Sequence, residues 1–163
     1  MSNTWHVQTA ETKDIPDLVS VRLAYLTEDH GELSAEHTEA IKRDLPIYFQ
    51  NHLNKDIICF IIRNDDILIA SGFLLIIEKP MNPSFINGRT GTVLNVYTAP
   101  AFRHQGCGRA VMHAILREAE KQDLCHVELQ ATEDGFPLYA ACGFQESTSK
   151  YHAMKWVNPS YEK

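Results

Sequence analysis

The sequence predicts a single α/β domain with a mixed sheet, because strand and helix patterns follow one another along all 163 residues. Two β-rich runs, 57–63 and 67–78, flank a turn. A strand-like run at 92–98 leads through a glycine-rich turn into a helical pattern. No linker, repeat or low-complexity segment divides the chain. We therefore expect one domain over 1–163, with the order β-α-α-β-β-β-α-β-α-β.

The first third is predicted to hold a short strand at 5–9 and two helices. Asp14, followed by Pro16 in the first turn, should cap the first helix. Ser34 should begin the second helix, and Pro46 should kink or break it. Apolar residues recur at helical spacing in both helices: Ile15, Val19, Leu23 and Leu26, then Ile41, Leu45, Phe49 and Leu53.

The remaining elements follow from turn residues and apolar patterns. Asn64-Asp65-Asp66 predicts a hairpin between 57–63 and 67–78, and Gly72 indicates a bulge or a close backbone contact in the second of these strands. Later, we expect a loop at 79–91, a strand at 92–98, a helix at 106–121, a strand at 126–132, a short helix at 136–142 capped by Asp134 and ended by Gly143, and a last strand at 149–156.

Composition excludes several classes of function. The net charge of -6 argues against general affinity for nucleic acid or anionic membrane, and it favours a cationic partner. The first fourteen residues lack the pattern of a signal peptide, and no apolar run is long enough to span a membrane. Four cysteines without a CxxC pair indicate reduced thiols in the cytoplasm, and eight scattered histidines predict no metal site.

Two glycines stand at the start of the predicted helix in FRHQGCGRAVMHAIL (102–116). A helix start carries N–H groups without internal partners and a partial positive charge, so it binds anions. Gly106 and Gly108 would let a phosphate approach the backbone, and Arg103 and Arg109 would add charged donors. We interpret the stretch as a phosphate or diphosphate site rather than a connecting turn alone.

Two common phosphate motifs do not fit this stretch. A P-loop needs Lys and then Ser or Thr after its last glycine, whereas Arg109-Ala110 follows Gly108. A dinucleotide-binding turn needs glycine or alanine at Val111 and a repeated β-α-β array. The residues by themselves leave the phosphate ligand open.

The run VLNVYTAPAFRHQGCGRAVMHAILREAE (93–120) resembles the acetyl-CoA signature of the GCN5-related N-acetyltransferase (GNAT) superfamily. Arg103, Gly106 and Gly108 fill its core, Arg/Gln-x-x-Gly-x-Gly/Ala. LYAACGF (138–144) is similar to a second motif of the family, Leu-Tyr-x-x-x-Gly-Phe. The resemblance implies a mostly antiparallel mixed sheet with helices on both faces, splayed between the fourth and fifth strands.

The resemblance also implies where acetyl-CoA, a co-substrate, would bind. The backbone of Leu94, Asn95 and Val96 should pair with the pantetheine amides. Cys107 is expected to be a small hydrophobe facing the core, although an exposed thiol at a helix start would be an alkylation target. The residues around the pyrophosphate would be Arg103, His104, Gln105, Gly106, Cys107, Gly108 and Arg109.

The implied reaction is direct attack of a primary amine on the thioester in a ternary complex. Deprotonating a lysine-like amine at pH 7 costs about 4–5 kcal/mol. Tyr139 matches the family's usual general acid for the departing thiolate. The strand TVLNVYT lacks the glutamate that some members use as base. The acidic residues that could steer or deprotonate the amine are Glu28, Asp29, Glu32, Glu133 and Asp134, and Tyr25 and Tyr97 are candidates for the acceptor pocket.

The acceptor is not specified by any motif. A small-molecule or peptide amine is expected, and the family's frequent dimers make a homodimer an open alternative to a monomer. A second hypothesis is a CoA-binding regulatory module on the same fold without transferase activity.

Overall fold

A five-stranded sheet in the order β1-β2-β3-β4-β5 forms the centre of the fold in the computed structural model. The structure describes residues 4–161, so the outermost residues of the predicted domain, 1–3 and 162–163, lie outside it. The first four strands pair antiparallel with their neighbours, and β5 pairs parallel to β4. The strands are β1 (Val7–Thr9), β2 (Ile57–Asn64), β3 (Ile67–Glu78), β4 (Arg89–Thr98) and β5 (Val127–Glu128).

Helices cover both faces of this sheet, which explains why six consecutive residues of β2 are buried. α1 and α2 pack on one face around Leu18 and Phe49. α3 packs on the other face through Val111 and Ile115. The helices are α1 (Ile15–His30), α2 (Ala35–His52), α3 (Cys107–Lys121) and α4 (Phe136–Ala141). The predicted fold class is confirmed.

Gly72 lies where β3 and β4 shift register, as the predicted bulge requires. A Cβ at this position would lie 2.5 Å from Cγ1 of Val111 and 3.0 Å from Cδ1 of Ile115. Both predicted reasons for the glycine therefore apply, because the bulge faces α3 at close range.

Two predictions about helix starts are wrong in their chemistry. Asp14 occupies the N-cap position of α1, but its carboxylate does not cap that helix. It accepts from the Glu11 N–H at 2.9 Å and from Arg63 at 2.7 Å. Asp134 does not cap α4 either, because the helix begins after Gly135, whose N–H donates to Oγ1 of Thr132. By contrast, Oγ of Ser34 accepts from the N–H of His37 as a normal cap.

Pro46 does not break α2, which continues from Ala35 to His52. The helix is held on the sheet by Phe49 and by half-buried Leu45 and Tyr48. This packing offsets the one backbone hydrogen bond that proline removes.

The predicted last strand at 149–156 is wrong. This segment has no regular secondary structure and pairs with no described strand, and its large apolar side chains, Tyr151, Met154 and Trp156, are exposed. The apolar pattern of a strand is present, but no neighbouring edge lies against it. The strand predicted at 126–132 is likewise reduced to Val127–Glu128, because β5 separates from β4 after these two residues.

Candidate active site

The site begins where β4 and β5 separate. The two strands pair only at Gly91–Val127 and Thr92–Glu128, and beyond these pairs they diverge. A cleft of about 510 Å³ opens between them. It is lined by Thr92, Val93, Leu94, Asn95 and Val96 of β4, by Glu128 of β5 with Leu129 and Gln130 directly after it, by Arg22 and Tyr25 of α1, and by Tyr139 of α4.

A bulge in β4 shapes the wall of the cleft. Asn95 and Val96 together face Gly72 of β3, and Asn95 has φ +54°, in the left-handed region. Asn95 is almost fully buried, and its conformation is held by Ser71. Oγ of Ser71 donates to the Asn95 carbonyl at 3.0 Å, and Nδ2 of Asn95 donates to that hydroxyl at 3.2 Å. Bulges redirect a strand next to a site, and this one turns β4 at the middle of the cleft.

The predicted anion turn lies between the end of β4 and the start of α3. Gly106 has φ +90°, and no atom lies within 4 Å of the position a Cβ would take. The first N–H groups of any α-helix have no acceptor within the helix, and no side chain caps α3. Gly108 serves another purpose, because a Cβ there would lie 3.0 Å from Cδ2 of Leu138 in α4. The turn therefore offers donors and open space at Gly106 and close helix contact at Gly108.

Other residues of the turn are held by neighbours. The Gln105 carbonyl accepts from Nε1 of Trp5 at 2.8 Å. His104 has φ +62°, and Arg109 is exposed. Cys107 is buried, as predicted, and burial raises the pKa of its thiol. The low-pKa, alkylation-prone alternative for Cys107 does not apply, because its side chain points into the core.

Arg103 joins the turn to α1 through an ion pair with Glu28. Nε of Arg103 also donates to the Thr98 carbonyl at 2.8 Å, and the guanidinium lies 5.6 Å from the centre of the Tyr97 ring. The hydrogen bond that Arg103 donates to Glu28 raises the pKa of Arg103. The structure thus brings together three predicted site residues, Glu28, Tyr97 and Arg103. Glu28 and Arg103 are paired with each other in this state.

Tyr139 faces the cleft from α4 and packs against Phe144, with ring centres 6.1 Å apart. Burial, with smaller effects of Tyr25 and Cys142, raises the pKa of Tyr139 to about 12. The phenol is therefore protonated throughout the neutral range. This is the state that a proton donor to a leaving thiolate requires.

The acidic candidates lie away from the cleft lining. Asp29 is 3.4 Å from His30, and its charge helps to raise the pKa of Tyr25, for which burial is the larger cause. Glu32, Glu133 and Asp134 are exposed. Of the predicted acceptor-side residues, Tyr25 alone is among those that line the cleft.

Arg22 and Glu128 line the cleft and were missed by sequence reasoning. Arg22 stands four residues after buried Leu18 and three before Tyr25, so it shares the inner face of α1. A charged residue on the face that packs inward was the available signal. Glu128 had no such signal, because the early end of β5 exposes it to the cleft.

The fold and the cleft define an α/β protein with a glycine-rich turn beside a split sheet. A family model for the acetyltransferase (GNAT) domain matches residues 55–146. The chain therefore belongs to the GNAT acetyltransferase family, which confirms the predicted resemblance.

Solved structures agree with this assignment. A predicted acetyltransferase from Clostridium acetobutylicum, crystallised with acetyl-CoA, is 27% identical with a TM-score of 0.80, over 93% of this chain and 96% of the other. A GCN5-related N-acetyltransferase from Ralstonia eutropha is 24% identical with a TM-score of 0.74, over 93% and 99%. Glucosamine-6-phosphate N-acetyltransferase from Arabidopsis thaliana shares the fold at 16% identity and a TM-score of 0.67, over 96% and 100%. No curated protein gives a significant match.

No helix within residues 4–161 is long and apolar enough to cross a membrane. No group of three or more His, Cys, Asp or Glu side chains is arranged to hold a metal ion in the same range. All four cysteines are free thiols.

Proposed function

We propose that this chain, as a single domain over 1–163, transfers an acetyl group from acetyl-CoA to a primary amine. The observation that carries the proposal is the cleft between β4 and β5, which Tyr139 lines, together with the uncapped start of α3, where Gly108 approaches Leu138 of α4. The acetyl-CoA named with the Clostridium structure supports the choice of donor. The four free thiols fit a reducing compartment, so we place the activity in the cytoplasm.

The donor would lie along β4. In this proposal the backbone of Leu94 to Val96 pairs with the pantetheine amides, because β5 has left that part of the strand. The N–H groups of 104–109 surround the pyrophosphate at the positive end of α3. Arg103 adds a charged donor when it exchanges Glu28 for the phosphate.

The amine nitrogen attacks the thioester carbonyl carbon, the C–S bond breaks, and the sulfur leaves as CoA. Tyr139, protonated at neutral pH, donates a hydrogen bond and then a proton to the sulfur. The amine proton leaves through a water relay, and we assign its end to Glu128, the carboxylate of the cleft lining. Because β4 brings no carboxylate to the cleft, the relay replaces a direct base.

The activity test monitors free thiol with acetyl-CoA and a panel of primary amines. Turnover with at least one amine, and a Tyr139→Phe variant that binds acetyl-CoA normally but loses at least about tenfold in kcat, are expected. An unchanged kcat in that variant would remove the acid role.

The absence of a β4 carboxylate also favours a second candidate, a CoA-binding module without transferase activity. Tight acetyl-CoA binding in calorimetry, with no thiol released from any amine, would support that module and contradict the transferase.

A further inference from the structure

Arg22 differs from the other arginines that are half-buried in this protein. Arg63 pairs with Asp14 and Asp17, Arg89 pairs with Glu78, and Arg103 pairs with Glu28. Within residues 4–161, no carboxylate lies within the 4.0 Å of an ion pair with Arg22.

The contacts of Arg22 are neutral. Its Nη1 donates a long hydrogen bond of 3.4 Å to Oδ1 of Asn95, and its guanidinium lies 5.9 Å from the centre of the Tyr25 ring. Burial lowers the pKa of Arg22, although the side chain keeps its charge at neutral pH. A charge withdrawn from water without an opposite charge costs free energy, and an anionic ligand would offset that cost.

Arg22 also stands where two cavities meet. It lines the cleft between β4 and β5, and it lines a groove of about 400 Å³ between α1 and α2. The groove is otherwise mostly apolar, and its other lining residues are Leu26, Ala40, Ile41, Asp44, Leu45 and Tyr48. Asp44 is bonded to Arg43 on the solvent side, so its charge is already paired.

We propose that Arg22 binds the carboxylate of the acceptor, and that the acceptor is an apolar α-amino acid. Such a molecule presents three groups from one carbon: a carboxylate for Arg22, an apolar side chain for the groove, and an amine directed towards the cleft. This deepens the proposed acetyl transfer and rests on it. The amine nitrogen bonds to the acetyl carbon, the C–S bond breaks, the amine loses one proton, and the sulfur gains one.

This assignment reverses the preference that the net charge of -6 suggested. The acidic residues in the last turn of α1 already have partners, because Glu28 pairs with Arg103 and Asp29 lies 3.4 Å from His30. Arg22 lines both cavities and is positive, whereas Glu128 lines the cleft alone and Asp44 lines the groove alone. Local charge at the site, rather than the sum over the surface, selects the acceptor.

The test uses acetyl-CoA with leucine or phenylalanine, and with isopentylamine or 2-phenylethylamine, which lack the carboxylate. Wild type is compared with Arg22→Gln and Arg22→Lys. Each acceptor is compared with itself between variants, so differences in amine basicity cancel. Arg117→Gln, on the exposed side of α3, is the matched control. Circular dichroism and acetyl-CoA affinity establish that the variants fold and load donor.

The expected result is a rise of about 10- to 100-fold in KM for the amino acids in Arg22→Gln, as expected for losing a charge-assisted hydrogen bond. Rates with the decarboxylated amines should change less than about twofold. Arg22→Lys should recover part of the loss, because a point charge replaces a fork of donors. The control should match wild type with every acceptor.

Two outcomes would overturn the proposal. An equal fall in kcat for amino acids and decarboxylated amines would place Arg22 on the acetyl group or in the fold. Turnover of decarboxylated amines with none of the amino acids would exclude the carboxylate. If no amine is turned over, calorimetry of leucine and phenylalanine into the CoA-loaded protein separates the two proposals. Binding that Arg22→Gln abolishes would keep this site while the transferase fails, and its absence would end both.

Discussion

Replacing Gly106 tests the anion turn, because this residue combines a left-handed backbone with open space. Its φ is +90°, and an added Cβ would meet no atom within 4 Å. Gly106→Ala therefore costs backbone strain alone, about 1–2 kcal/mol. For a domain of this size each kcal/mol lowers Tm by about 2–4 °C, so we expect a loss of about 2–8 °C. Gly106→Glu should unfold at a similar temperature, since its strain is the same.

The two variants should differ in acetyl-CoA affinity. Alanine places one methyl group where the proposed pyrophosphate lies, whereas glutamate adds a negative charge beside it. We expect Gly106→Glu to bind acetyl-CoA at least about tenfold more weakly than Gly106→Ala, a difference of about 1.4 kcal/mol. Because the charge effect is screened by salt, the gap should narrow as ionic strength rises.

Thermal unfolding and isothermal calorimetry with acetyl-CoA make the comparison. Gly31→Ala and Gly31→Glu are the controls, since Gly31 also has a positive φ of +79° and equally open space at the end of α1, although its ψ of -164° differs from the 4° of Gly106. These controls should lose stability without losing affinity. Equal acetyl-CoA affinity of Gly106→Glu and wild type would refute the phosphate site at α3.

Three further predictions concern stability. Gly72→Ala should cost about 1–3 kcal/mol in urea unfolding, because its Cβ would lie 2.5 Å from Cγ1 of Val111, and an unchanged midpoint would contradict that contact. Burial would raise the pKa of Asp14, but the Glu11 N–H and Arg63 outweigh it and lower the pKa. The stability that ionised Asp14 contributes is therefore present above its unfolded-state pKa of 3.8, and it is lost as the pH falls through the lower pKa of the folded state. Asp14→Asn should lower the free energy of unfolding by about 1–3 kcal/mol at pH 7 and reduce the loss of stability at acid pH. An unchanged acid-pH dependence of stability would exclude Asp14 as its source. Deleting 149–163 should change the free energy of unfolding by less than about 1 kcal/mol, since its described residues are exposed, and a larger loss would show that this segment packs in solution.

Local patterns predicted most of the fold because the sheet is covered on both faces. Continuous apolar runs therefore marked β2 and β3, and the turn residues between them marked the hairpin. The errors occurred where a pattern lacked its partner or a partner was distant. The 149–156 segment has a strand-like pattern without an adjacent edge. Asp14 has the sequence of a helix cap, but Arg63, far along the chain, takes one of its oxygens.

The turn proposed to bind the donor could be located from the sequence because the backbone itself forms it. A left-handed turn at the start of a helix requires glycine at Gly106, and that requirement is visible in the residue type. The close contact of Gly108 with Leu138 is not visible in the same way, since it needs the position of α4. The sequence therefore located both glycines but attributed phosphate approach to each of them. In the structure Gly106 has the open space, whereas Gly108 allows close contact with α4.

The acceptor half depends on which charges remain unpaired after folding, and this cannot be read from residue types. Glu28 resembled a free acceptor ligand until the fold placed it on Arg103. Arg22 resembled an ordinary helix residue until the fold placed it between two cavities, with no carboxylate of residues 4–161 at ion-pair distance. The Arg103–Glu28 ion pair also connects the donor side with the acceptor side. Phosphate binding by Arg103 would compete with Glu28 and release the Glu28 carboxylate near the end of α1. Donor binding should thus alter the charge at the acceptor side, so acceptor affinity is best measured on the CoA-loaded protein.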